Sequence, residues 1–195
     1  IGVGASASDT VVNIVFGGAG ADQFELSAGQ NALVGDFGTF TKVDGTNPDV
    51  VARLANSPAA GADRFTLRGG TNVAIGGGNA DTFSAQDGTN FMFGDDAEVT
   101  RDATTLKPVL ARSIEPDTGG ADTFDTTLGN NYSIGGAASD TINGGAGNDF
   151  VLGDNGLLRF DASGNVTQMT STDAASGAAD RISGGIGTNI LIGGS

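Results

Sequence analysis

Two kinds of short apolar segment alternate along this chain. Phe24, Phe65, Phe83, Phe124, Ile142 and Ile182 each lie two residues after an Asp, flanked by polar residues such as Thr82, Thr123 and Arg181. Polar–apolar–polar alternation predicts a strand with one buried face. The second kind follows Asn and is mostly apolar at three successive positions: Ile14-Val15-Phe16, Val73-Ala74-Ile75, Phe91-Met92-Phe93 and Ile190-Leu191-Ile192. Such segments predict strands covered on both faces. A further layer must therefore lie outside the Asn-side sheet.

The two kinds recur in frame. Asn13, Asp22, Asn31; Asp63, Asn72, Asp81, Asn90; Asp122, Asn131, Asp140, Asp149; and Asp180, Asn189 are spaced by nine within each group. Asp and Asn alternate except at Asp149, so the unit is eighteen residues, with two strands and two turns. Asp22, Asp81 and Asp140 recur every 59 residues, as do Asp36, Asp95 and Asp154, while Asp63, Asp122 and Asp180 are spaced 59 and 58. A fixed period of this kind is the mark of a repeat architecture. The whole chain, 1–195, reads as one segment of a longer array, since it opens at Ile1 and closes within a repeat.

Four nonapeptides fill 36 of every 59 residues, leaving insertions near 37–60, 96–119 and 155–177. The third has Leu157-Leu158-Arg159-Phe160 and Val166-Thr167-Gln168-Met169 around Asp161 to Asn165, which reads as a β-hairpin. The first has Phe40, Val43, Val50, Val51 and Leu54 around a turn at 44–48. The second contains Pro108, which suits an edge or loop position. Two stacked coils advance about 9.6 Å, the width of one hairpin laid alongside, so successive hairpins are expected to tile a third layer over the Asn-side sheet.

Composition narrows the chemistry. With no His and no Cys, there is no Ser-His-Asp or Cys-His pair, no His or Cys zinc site and no disulfide. The 34 glycines are too many for a helical protein. A net charge of −14 with scattered basic residues argues against nucleic acid and anionic membranes. No apolar run is long enough to span a bilayer, so no membrane insertion is expected, and no signal-peptide pattern occurs. Of 23 acidic residues 20 are Asp, a short hard-oxygen ligand also at home in turns.

The turns before Asp carry the candidate chemistry. The fullest are Gly17-Gly18-Ala19-Gly20-Ala21-Asp22, Gly76-Gly77-Gly78-Asn79-Ala80-Asp81 and Gly135-Gly136-Ala137-Ala138-Ser139-Asp140; Gly144-Gly145-Ala146-Gly147-Asn148-Asp149 belongs to the other edge. Tight glycine loops point carbonyls inward and the closing Asp adds a carboxylate. Stacked, they would surround a hard cation, and Ca2+ accepts 6–8 oxygens in tolerant geometry where Mg2+ demands a strict octahedron. The bland alternative is Asp capping its own turn; a row of like charges about 4.8 Å apart weighs against it.

These turns resemble the repeats-in-toxin, or hemolysin-type, calcium-binding family, whose unit is Gly-Gly-x-Gly-x-Asp-x-apolar-x. Gly17 to Glu25 matches throughout, and Gly144 to Leu152 matches apart from extra apolar residues. Gly76 to Ser84 and Gly135 to Asn143 differ at the fourth position. The resemblance implies an all-β fold, a parallel β-roll or β-solenoid of 18-residue coils, here with a hairpin inserted every second coil. It implies Ca2+ between stacked turns, with Asp22, Asp81 and Asp140 the leading ligands and Asp149 next.

Two features depart from the family pattern. Every second Asp-side turn is split by a hairpin: Asp36 pairs with Asp63, Asp95 with Asp122, and Asp154 with Asp180, so each split turn offers two carboxylates to a metal. The opposite edge carries mostly Asn, which predicts calcium along the first edge and an uncharged Asn ladder along this one. Ala7-Ser8-Asp9-Thr10-Val11 resembles a shortened Asp-type turn. Asp44, Asp102 and Asp161 read as hairpin-turn residues, Asp87, Asp96 and Asp125 as solvated, and Tyr132 as packing. Six of nine basic residues, Arg101 among them, fall in the insertions, where they serve solubility or attract an acidic neighbour.

The functional expectation is a calcium-stabilised structural segment of a secreted or cell-surface protein, of adhesin, fibre or surface-layer type, and not an enzyme. Export of a loose chain by type I secretion follows from the resemblance alone. Copies of the chain stacked end to end or laterally are a possible partner, because exposed terminal coils invite continuation. The alternative is a secretion or folding module attached to an extracellular enzyme. Catalysis by paired carboxylates on a polysaccharide lacks any sequence sign of a groove, and the Thr-Asn rows at 71–72, 89–90 and 188–189 are too irregular for ice binding.

Overall fold

The computed structural model describes residues 12–43, 47–53, 59–102, 105 and 107–194. The expected short turn at Ala7 to Val11, Asp44 and Leu54 lie outside them. The described residues contain strands and turns and no helix.

The Asn-side strands form one seven-stranded parallel sheet: β1 (Val12–Phe16), β3 (Gln30–Val34), β7 (Thr71–Ile75), β9 (Thr89–Phe93), β13 (Asn130–Gly136), β15 (Phe150–Asp154) and β19 (Ile190–Ile192). The Asp-side strands form a six-stranded parallel sheet: β2 (Gln23–Leu26), β6 (Arg64–Leu67), β8 (Thr82–Ala85), β12 (Thr123–Thr126), β14 (Thr141–Asn143) and β18 (Arg181–Ser183). The chain alternates between the two sheets, and each strand lies beside its counterpart in the next coil. This is a parallel β-roll.

Like residues stack on like. Phe24, Phe65, Phe83 and Phe124 are direct register partners, and their rings stack at centroid distances of 4.8, 4.7 and 4.7 Å. The ring spacing equals the strand spacing. Each buried Phe contributes about 1.5–3 kcal/mol from burial alone. Close coil spacing also constrains the turns. Gly70 has φ +87°, and a Cβ there would collide with the Gly29 carbonyl of the coil below.

The insertions form a third sheet, all antiparallel. Its strands are β4 (Gly38–Val43), β5 (Asn47–Arg53), β10 (Ala97–Arg101), β11 (Pro108–Ser113), β16 (Gly156–Phe160) and β17 (Val166–Ser171), ordered β17-β16-β11-β10-β5-β4. Neighbouring hairpins pair through β5 with β10 and β11 with β16. Pro108 is the first residue of its strand, at a register irregularity, where its missing N–H costs least.

The Asn-side sheet is the middle layer, which explains its apolar triplets. Val34, Ile75, Phe93, Ile134 and Leu152 pack outward with Ala97, Val99, Ala111, Leu158 and Phe160 of the hairpins. Leu33, Ala74, Met92 and Val151 point the other way, onto the phenylalanine stack. Two sequence expectations need correction. Asp96 is buried, because the chain leaves the split turn there to enter the hairpin layer, as at buried Asn155. Arg101 is not a solubilising residue. It follows Ala97 and Val99 on the inward face of β10 and donates from Nη2 to the Asn31 carbonyl at 3.2 Å.

Candidate metal centre along the aspartate edge

The Asp-side turns begin where each apolar triplet ends in Gly. The ladder runs on into that residue: Gly17, Gly35, Gly76 and Gly94 donate to Val34, Ile75, Phe93 and Ile134. Gly18, Gly20, Gly77 and Gly136 have positive φ. At the fourth motif position Asn79 and Ala138 replace Gly and still hold φ +69° and +66°. The left-handed turn thus survives the substitutions, at a cost Gly would avoid.

The closing aspartates form one continuous column. The Asp22 N–H donates to Oδ1 of Asp63 at 2.6 Å, Asp63 to Asp81 at 2.6 Å, Asp81 to Asp122 at 2.6 Å, Asp122 to Asp140 at 2.8 Å, and Asp140 to Asp180 at 2.9 Å. Every Oδ1 from Asp63 onward is thereby satisfied by the coil before it. Every Oδ2 in the column, from Asp22 to Asp180, is buried and receives no hydrogen bond. A buried carboxylate oxygen without a partner is expensive, and here six recur in register.

Each of these oxygens faces a carbonyl across a small cradle. A Cβ built on Gly76 would overlap both Oδ2 of Asp81 and the carbonyl of Gly94. The same pairing recurs at Gly17 (Asp22 with Gly35), Gly35 (Asp63 with Gly76), Gly94 (Asp122 with Gly135), Gly135 (Asp140 with Gly153) and Gly153 (Asp180 with Gly193). Plain and split turns are therefore equivalent at the cradle. Gly35, Gly94, Gly153 and Gly193 were not among the ligands predicted from the sequence. Their signal was present, since each follows an apolar triplet as Gly17 does.

The second carboxylates of the split turns also brace those turns. Asp36 accepts from Gly61 N–H at 3.0 Å and Gly78 N–H at 2.9 Å; Asp95 accepts from Gly120 at 2.9 Å and Ala137 at 2.5 Å; Asp154 accepts from Ala178 at 2.9 Å. They tie the two halves of each interrupted turn together. Their charge still acts on the column.

That charge is costly. Burial, with Asp22 and Asp36 nearby, pushes the Asp63 carboxyl up to about 7. Burial likewise takes Asp81 to about 9, Asp122 to about 10 and Asp140 to about 8, with Asp95 among the repelling neighbours of all three. Asp180 is also raised, chiefly by burial. Two carboxylates one coil apart repel by about 3 kcal/mol at an effective dielectric constant near 20. At neutral pH the column needs protons or cations.

The opposite edge is built without charge. Asn13, Asn31, Asn72 and Asn90 each donate Nδ2 to Oδ1 of the next Asn, at 2.7, 2.7, 2.7 and 2.9 Å, ending on Asn131. The expected ladder is thus present and self-satisfied. It is interrupted at Asp149, which accepts from Asn131 while its Oδ2 is buried without a donor. A Cβ on Gly144 would meet Asp149 Oδ2 at 2.9 Å and the Gly184 carbonyl at 3.0 Å, and Gly145 has φ +75°. This is a seventh cradle, alone on its edge.

No three acidic side chains converge on one point among the described residues. Each cradle instead combines one carboxylate oxygen with main-chain carbonyls. Hard oxygens without nitrogen or sulfur fit a hard cation such as Ca2+. Orphaned carboxylate oxygens and glycine-lined space together make these residues a suitable host for such an ion.

Stacked glycine turns closed by a buried Asp column define a solenoid of the metal-binding β-roll class. The RTX calcium-binding nonapeptide repeat matches in four copies, at residues 8–39, 68–97, 125–156 and 174–195. These cover more than half of the chain, which belongs to that family and is a calcium-binding structural repeat region. The gaps between copies contain the hairpins, so the third layer lies largely outside the family pattern. No curated protein and no solved structure matches the chain.

Proposed function

We propose that this chain is a calcium-clamped structural segment of a secreted or cell-surface protein of adhesin, fibre or surface-layer type. The observation that carries the reading is the row of buried, donor-free Oδ2 atoms. In it Asp22, Asp63, Asp81, Asp122, Asp140 and Asp180 supply carboxylate ligands along one edge, and Asp149 supplies one on the other. Gly17, Gly18, Gly20, Gly76, Gly77, Gly135, Gly136, Gly144 and Gly145 shape the loops. Asp36, Asp95 and Asp154 brace the split turns and add negative charge. Without calcium the column repels itself, so ion binding becomes folding energy. A chain kept loose in a calcium-poor cytosol and folded after export, as in type I secretion, agrees with this linkage.

Calcium titrated against magnesium tests the reading, with circular dichroism for folding and equilibrium dialysis for stoichiometry. Strand signal should develop with calcium and far less with magnesium. A chain that folds equally well in chelator at neutral pH would overturn it.

A further inference from the structure

We propose that the cleft between the Asn edge and the hairpin tips is a binding groove for a neutral oligosaccharide. Two cavities, of about 310 and 460 Å3, share Tyr132 in their linings and follow one another along the row of coils. The cleft lies on the edge opposite the Asp column; of the candidate metal ligands, Asp149 adjoins it, next to the lining residue Asn148.

One wall is a rail of polar side chains, one per coil: Gln30, Thr71, Thr89, Asn130, Asn148 and Thr188. The first four are direct register partners, and Asn148 and Thr188 continue the row through hydrogen bonds of 3.2 Å. The hydroxyls of Thr71, Thr89 and Thr188 have no protein partner among the described residues. The other wall is made by Lys107 and Pro108 of the second hairpin and Ser163, Gly164 and Asn165 of the third. There Lys107 donates to the Ser163 carbonyl at 2.9 Å and fixes one tip against the next.

The floor is aromatic. Phe91, Tyr132 and Phe150 stack at 4.5 and 5.3 Å and contribute to the lining. In a chain of net charge −14, no carboxylate lines the groove among the described residues. The nearby hairpin carboxylates Asp102 and Asp161 are occupied by the N–H groups of their own turns.

This chemistry selects the ligand. An elongated polar groove with an apolar floor and hydroxyls and amides at strand spacing suits a polyhydroxylated chain with apolar C–H faces. A polyanion would meet a strongly acidic protein, and a lipid tail would strand the polar rail. A peptide strand would need a free sheet edge, and the strands flanking the groove are already paired.

The chain supplies its own reporter, because Tyr132 is the single Tyr and there is no Trp. Calcium-loaded protein is titrated with cellohexaose, xylohexaose and maltohexaose, and with hexagalacturonate and a neutral Ala-Thr peptide as controls. Tyrosine emission should change saturably with at least one neutral hexasaccharide and not with the controls. Thr89→Arg on the rail and Ser163→Arg on the opposite tip should each weaken binding by roughly tenfold or more. Either variant suffices if the other loses its calcium-dependent circular dichroism. No response to any neutral sugar, tighter binding of a control, or unchanged binding in a folded variant would each overturn the proposal.

Discussion

The backbone N–H of Asp81 donates to Oδ1 of Asp122 at 2.6 Å, while Oδ2 of Asp122 lies buried with no donor. One oxygen of the side chain thus holds two coils together, and the other faces the Gly135 carbonyl. The first serves the fold whether or not an ion is bound. The second is tolerable only with a proton or a cation beside it.

Asp122→Asn separates these roles. The amide oxygen keeps the bond from Asp81, and Nδ2 replaces the orphaned oxygen with a donor, as in the Asn ladder opposite. The variant should bind about one calcium fewer and, in chelator at neutral pH, be more stable by about 1–3 kcal/mol. Equilibrium dialysis and urea unfolding measure both. Unchanged stoichiometry would remove Asp122 from the ligand set.

Acidity should substitute for calcium. The folded-state carboxyls of Asp63, Asp81, Asp122 and Asp140 sit at about 7, 9, 10 and 8, above the ordinary 3.8. Between those values the folded chain holds protons that the unfolded chain has lost. Stability in chelator is therefore greatest near pH 4 and falls as pH rises, by at most about 1.4 kcal/mol per pH unit for each group. With calcium the neutral-pH loss should vanish. A Tm in chelator that climbs from pH 4 to pH 7 would contradict the sign.

Filling one cradle should delete one site. Gly76 needs no positive φ, yet a Cβ there overlaps Asp81 Oδ2 and the Gly94 carbonyl. Gly76→Ala should lower calcium stoichiometry and the calcium-loaded Tm. Gly69→Ala, on the Asn edge where a Cβ touches only the Ser27 carbonyl at 3.2 Å, is the control and should leave the calcium stoichiometry alone. Equal effects would mean that the cradle geometry is irrelevant.

The Asn edge should answer differently. Asn72 accepts from Asn31 and donates to Asn90, both at 2.7 Å, and to the Gly69 carbonyl at 3.2 Å. Asn72→Ala leaves those partners buried and unpaired, at about 1–3 kcal/mol. Measured by urea unfolding, the loss should be the same at saturating calcium and at pH 4 in chelator. A calcium-dependent loss would couple the two edges.

Periodicity made the roll legible. Apolar residues two after each Asp became a one-sided sheet, and the triplets after Asn became a sheet buried on both sides. Residues whose role depends on three-dimensional junctions were not legible. The bracing by Asp36, Asp95 and Asp154 was not legible because nothing in one dimension shows the N–H groups of Gly61, Gly120 and Ala178 folding back onto them. Asp96 looked solvated because burial at the hairpin junction is not periodic. The groove was invisible because it arises between layers. Tyr132, read as packing, does pack, and it also forms the groove floor.

Arg101 was the least predictable residue and gives the last test. Six of the nine basic residues fall in the insertions, so an exposed role was the natural reading. Instead it is buried between layers, its Nε lacks a partner among the described residues, and desolvation pulls its pKa down to about 10. Removing a poorly compensated buried cation while keeping its volume is often neutral or stabilising. Arg101→Met should therefore leave the urea midpoint unchanged or raise stability by about 1 kcal/mol. Arg101→Ala should destabilise by a few kcal/mol through the cavity it opens, roughly 2–4. If Met costs as much as Ala, the bond from Nη2 to the Asn31 carbonyl is what fixes the second hairpin to the middle sheet, and the guanidinium is a structural clamp.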